Sequence, residues 1–104
     1  MPVQLVYATF PDTDSAQALG RRCLEAGLAA CFTHWQAGTQ YRWEGEIVED
    51  EETLVLFKTA PERSAELVSF LEDEHPYDVP CLLPIDSEEA NPAYAEWIAD
   101  EATA

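Results

Sequence analysis

Three cysteines, Cys23, Cys31 and Cys81, and two histidines, His34 and His75, are the side chains suited to soft or borderline metal ions. A thiolate favours Cu(I), and an imidazole takes copper or zinc through either ring nitrogen. The cysteines have no Cys-x-x-Cys spacing and are odd in number, which argues against a zinc knuckle and against a disulfide framework. Neither histidine lies in a His-Glu-x-x-His pattern. Each candidate therefore keeps a second reading. A buried free thiol behaves as a small hydrophobe, and His75, which precedes Pro76 at the end of a helix, is placed to cap carbonyls. His34, beside Trp35 near a strand end, reads as structural or exposed.

Other groups complete the inventory. Lys58 shares a strand face with Leu54 and Leu56, so it calls for an acidic partner, Glu44 or a carboxylate of another subunit, or else an anionic ligand. Tyr41, Trp43 and Trp97 join apolar bodies to polar tips, which suits an interface or a binding cage. Glu49-Asp50-Glu51-Glu52 offers hard oxygen ligands, yet no EF-hand spacing is present, and a solvated loop is the simpler reading. With no Gly-x-Ser-x-Gly, no phosphate-cradling glycine loop and no Cys/His pair at catalytic spacing, the chain is not expected to be an enzyme.

These side chains must be positioned by a chain of 104 residues, the length of one domain, here residues 1–104. Hydrophobic residues make up 47% of it, enough to build a core and exclude disorder as the main state. Twenty-one acidic residues against five basic ones give a net charge of −16. Nucleic acid and anionic membrane are excluded as partners, because both need clustered cations. Such acidity keeps a protein soluble at high ionic strength, where self-repulsion is screened. The opening Met-Pro-Val-Gln has no basic region and no long apolar run, so a cytoplasmic location with reduced thiols is expected.

The pattern predicts strands at Val3 to Phe10, Leu28 to Trp35, Thr53 to Thr59 and Val79 to Ile85, with a separate hairpin over Thr39 to Val48 turning at Glu44-Gly45. A first helix is expected behind a capping box of Asp14 and Gln17 and closed by Gly27. Thr59-Ala60-Pro61-Glu62 signals a second helix, which His75-Pro76 ends, and Asn91-Pro92 opens a short last one carrying Tyr94, Trp97 and Ile98. Pro80 and Pro84 mark the fourth strand as an edge. Right-handed crossovers make this an α+β, ferredoxin-like βαββαβ sandwich with an inserted hairpin and a short C-terminal helix. Its second sheet face lacks cover, so an oligomer is expected.

Specific strings then resemble a known family. ATFPD (Ala8 to Asp12), GLAAC (Gly27 to Cys31), Tyr41-x-Trp43-x-Gly45-x-Ile47, Lys58-Thr59, HPYDVP (His75 to Pro80) and Tyr94-x-x-Trp97 occur in the order and spacing of CutA, the divalent-cation tolerance family, over nearly the whole chain. The resemblance implies a homotrimer with intersubunit sheet pairing, a role in response to divalent metal ions, and copper binding in some members. It implies Cys31 as a metal contact, while His75 is a second candidate on the chemistry of its imidazole. Members with a multi-cysteine site carry cysteines where this chain has Ala8 and Phe70, neither of which ligates. The alternative is a trimer similar to PII signalling proteins, with a small molecule in an intersubunit cleft near Tyr41, Trp43, Glu44, Lys58, His75, Tyr77 and Trp97.

Overall fold

A computed structural model describes residues 1–103. Strand β1 (Val3–Phe10) leads into helix α1 (Thr13–Glu25), followed by β2 (Cys31–Trp43) and β3 (Glu46–Thr59). A single 3-10 turn (Pro61–Arg63) precedes α2 (Ser64–Glu74), and β4 (Leu82–Ser87) and α3 (Pro92–Glu101) complete the chain. The sheet runs β2-β3-β1-β4 with every neighbouring pair antiparallel, the arrangement of a ferredoxin-like split βαβ. None of the described helices is long and apolar enough to cross a membrane.

Alternation along the strands sorts side chains onto two faces. Val6, Ala8 and Phe10 of β1 and Val55 and Phe57 of β3 face α1 and α2, and with Ala16, Leu19, Cys23, Leu67 and Leu71 they form the main core. α3 closes one end of the opposite face, where Ala95 and Ile98 pack against Val3. The rest of that face is uncovered. Leu5, Tyr7, Leu54 and Leu56 are half-buried there, and Trp35, Leu83 and Ile85 are exposed.

Several local expectations need correction. The hairpin is not an insertion. β2 and β3 each run unbroken from the sheet to the tip, in one register from Cys31↔Lys58 to Trp43↔Glu46. The acidic run Glu49 to Glu52, read as a solvated loop, is strand, because in an exposed two-stranded ribbon both faces meet water and acids are tolerated on either. β3 pairs with β1 only from Thr53 onward, so residues 37–43 and 46–52 pair with each other alone and project as an arm of about 23 Å. At its tip Glu44 (φ 51°) and Gly45 (φ 81°) both lie in the left-handed region, as a type I′ turn requires. The radius of gyration is 14.3 Å, against about 13 Å for a compact chain of this length, and the arm accounts for the excess.

The helix starts also differ. Asp12, not Asp14, caps α1, its Oδ1 accepting the Ser15 N–H at 2.7 Å, since the backbone at Asp12 is still extended. That bond holds the Asp12 carboxyl below its usual range. Thr59 does not cap the second helix; it turns inward and donates to the Leu28 carbonyl at 2.7 Å. Gly27 (φ 70°) ends α1 as expected, with Leu28 N–H reaching Cys23 O and Gly27 N–H reaching Leu24 O in a Schellman pattern. This closure uses Leu28, so β2 begins only at Cys31. The fourth strand forms later than expected, leaving Val79 90% exposed in a loop, while β4 is the expected edge.

Candidate functional site

Two polar clusters bound the uncovered sheet face. At the α3 end, the start of β2 places Cys31 across from Lys58 of β3, and α3 lowers Tyr94 onto both. Cys31 Sγ and Tyr94 Oη are 3.6 Å apart, and Lys58 Nζ lies 5.9 Å from the centre of the Tyr94 ring. Tyr94 in turn stacks on Trp97 at 5.9 Å. Burial pushes the Tyr94 phenol up, and the hydrogen bond to Cys31 and its charge add to the shift, so Tyr94 keeps its proton and can donate to the sulfur. The acidic partner expected for Lys58 is absent among the described residues. Glu44 sits at the far tip of the arm, and the lysine is met by the face of an aromatic ring.

At the other end, Pro76 forces His75 out of the helix into extended backbone (φ −68°, ψ 143°), which turns its ring back over β1. The ring stacks on Phe10 with centroids 4.4 Å apart. Its Nδ1 accepts the Tyr77 N–H at 3.0 Å, so the proton resides on Nε2, which donates to the Thr9 carbonyl at 2.8 Å. Burial lowers the His75 pKa, opposed by the Thr9 bond and the Glu52 charge. Both ring nitrogens of this imidazole are engaged by backbone partners within the chain.

Tyr77 continues the chain of contacts by donating to Glu52 Oε2 at 3.1 Å. Burial first, then the Glu52 bond and charge, push its pKa up to about 12. Glu52 likewise raises Tyr7 and Cys81, each already raised by burial. One carboxylate is therefore ringed by groups that stay neutral. This hub was missed in the acidic run; its signal was parity, since Glu52 continues the alternation of Leu54, Leu56 and Lys58 on the uncovered face.

The remaining candidates scatter. Tyr41, Trp43 and Glu44 ride on the arm, with Trp43 62% exposed. Tyr77 meets Glu52 at one end of the open face, His75 stacks beside it on Phe10 of the covered side, and Cys31, Lys58 and Trp97 lie at the other end. One chain does not gather them into a cleft. His34 is exposed and within 3.3 Å of Gln17 Nε2. Cys23 is wholly buried, its thiol pushed up to about 12, and serves packing. Among the described residues no three His, Cys, Asp or Glu side chains cluster at metal-binding geometry.

Comparison with known proteins agrees with this architecture. The CutA1 divalent ion tolerance protein family matches residues 4–101. The chain is 38% identical over 96 residues to the divalent-cation tolerance protein CutA of Thermotoga maritima, covering 92% of this chain and 95% of that one. It is 34% identical over 98 residues to the CutA of Thermus thermophilus, covering 93% and 95%. The crystal structure of CutA1 from Pyrococcus horikoshii superposes with a TM-score of 0.93 at 35% identity, covering 97% of this chain and 99% of that one. From the family match across the folded body, the two end clusters and the arm, this chain belongs to the CutA1 divalent ion tolerance family.

Proposed function

We propose that this protein acts in tolerance of divalent metal ions as a non-catalytic homotrimer in the reducing cytoplasm, with copper as the metal and Cys31 as its contact. The observation that carries the reading is the uncovered apolar sheet face, continuous with an arm whose Tyr41, Trp43 and Ile47 are 40%, 62% and 69% exposed. A two-stranded ribbon is marginal alone in water, and a second copy supplies the matching apolar surface. The accessible area, 6379 Å², exceeds the roughly 5,800 Å² expected for a compact chain of this mass, as an unassembled subunit should. Light scattering at micromolar concentration is expected to give the mass of three chains. A well-folded single chain would overturn the assembly.

For copper, the donor set of one chain is narrow. Cys31 is half-buried and brings one soft thiolate, with the Tyr94 hydroxyl beside it and the Lys58 ammonium nearby. A closed site on these donors needs thiolates from other copies, which ties copper affinity to assembly. Cys31→Ser is expected to abolish Cu(I) binding in competition titrations while Cys81→Ser leaves it intact. Equal affinity of Cys31→Ser and wild type would remove copper from this residue.

A further inference from the structure

We propose that the α3 end of the sheet is a seat for a small organic monocarboxylate, its charge taken by the Lys58 ammonium and the Tyr94 hydroxyl and its apolar body lying on Leu5 and Ile85. In the sheet register Cys31 is opposite Lys58, Lys58 opposite Leu5, and Leu5 opposite Ile85, so the four side chains form one row across the face. α3 comes down on this row: Tyr94 packs with Leu5 and Cys31 around Val3, Ala95 and Ile98, and Trp97 stacks on the Tyr94 ring and holds it there. Each copy therefore carries the seat between its own helix and its own sheet, and the copper reading is not needed to build it. Ile85 is 43% exposed, which leaves the row open at the end away from Cys31.

Charge selects the ligand. Arg21, Arg22 and Arg63 pair with Glu25, Glu74 and Glu66, and Arg42 rides on the arm, so Lys58 is the cation that the body of the sheet leaves without a carboxylate among the described residues. It is half-buried, where desolvation disfavours an unmatched charge and the face of one aromatic ring returns only part of the loss. Nothing in contact with it is a strong acceptor. Tyr94 keeps its proton, because burial and then its contact with Cys31 raise the phenol, and the Cys31 sulfur accepts weakly. An ammonium beside a hydroxyl donor is the complement of an anion. One ammonium balances one negative charge, and the net −16 of the chain repels a dianion such as phosphate more than a monoanion. The rest of the row is apolar, and Ile85 stands two strand spacings, about 10 Å, from Lys58, which gives an aryl or alkyl body room to lie on Leu5.

The test is calorimetric titration of the full-length protein, in its native assembly, with hydrocinnamate, a phenyl ring on a short carboxylate. Its neutral amide and inorganic phosphate serve as controls at matched ionic strength. Hydrocinnamate is expected to bind at millimolar concentration or below and to raise the melting temperature, with neither control doing so. Lys58→Met should weaken binding about tenfold, the worth of one charge-assisted hydrogen bond, and Tyr94→Phe about threefold. Lys58→Gln reads the same loss should Lys58→Met fail to fold by circular dichroism. Cys31→Ser is expected to keep hydrocinnamate binding whatever it does to copper, so the seat and the copper reading fail separately. Folded wild type that gives neither heat nor a melting shift overturns the seat. Equal binding of the amide overturns the role of charge, and phosphate binding as well as hydrocinnamate overturns the ligand class. Loss of the native assembly mass in Lys58→Met also overturns the proposal, since a carboxylate of another copy would then hold the ammonium.

Discussion

Leu56 and Phe57 are neighbours on β3, yet they belong to two different environments. Phe57 is wholly buried under the helices among Phe10, Val55 and Leu67, while Leu56 looks out on a face that only α3 partly covers. The helix-covered side is complete within one chain: its apolar stripes close on one another and its cysteine is sealed. The other side carries apolar surface together with polar groups worth noticing, Cys31, Lys58 and Tyr94 at one end and Tyr77 and Glu52 at the other, where His75, stacked on Phe10, joins them to the covered side. Stability is concentrated on one face and unmet contact on the other.

Substitutions on either side of this strand should separate the two. Phe57→Ala is expected to cost about 3–5 kcal/mol by emptying a packed site, at any protein concentration in urea unfolding. Leu56→Ala should cost less in dilute protein, and should abolish the rise of melting temperature with concentration that assembly gives the wild type. Equal, concentration-independent losses would mean that both faces are closed within a single chain. At the arm tip, Gly45→Ala places a side chain on backbone at φ 81° and is expected to cost about 1–2 kcal/mol, read as faster amide exchange in residues 39–49 with the body unchanged. Exchange accelerated equally in β1 would show that arm and body unfold as one.

Smaller effects probe the His75 end. Tyr77→Phe removes the bond to Glu52 and should lower stability by about 1 kcal/mol. The imidazole gives a pH signature. Its pKa in the fold is below the unfolded 6.5, so the unfolded chain binds the extra proton first and stability falls as pH drops below about 6.5. The difference in melting temperature between wild type and His75→Gln should therefore narrow from pH 8 toward pH 5. A constant difference would show that the ring titrates alike in both states.

What could be read from the chain was set by how local its cause was. Val3 to Phe10, the Gly27 closure and the stop at His75-Pro76 depend on residues within a turn of themselves, and each forms as expected. The arm was misread because acids at Glu49 to Glu52 hide the alternation that continues from Leu54, and because an exposed ribbon needs no hydrophobic pattern on either face. Lys58 could not be paired from sequence, since Tyr94 reaches it from a helix thirty-six positions later in the chain. The same is true of His75: its closed hydrogen-bond ring depends on the Thr9 carbonyl, and no residue type announces a backbone partner. Cys31 was correctly placed on a strand, though that strand begins at Cys31 and not at Leu28, while its neighbours, which decide its chemistry, came only with the fold.

The unbroken register of β2 and β3 restricts how relatives of this protein can vary in length. Removing Gly38 together with its partner Glu51 would leave the ladder intact but swing Tyr41 and Trp43 to the reverse side of the ribbon, whereas losing two residues from each strand would shorten it by about 7 Å and keep every aromatic ring facing as before. Viable insertions and deletions in this segment should thus arrive in matched fours.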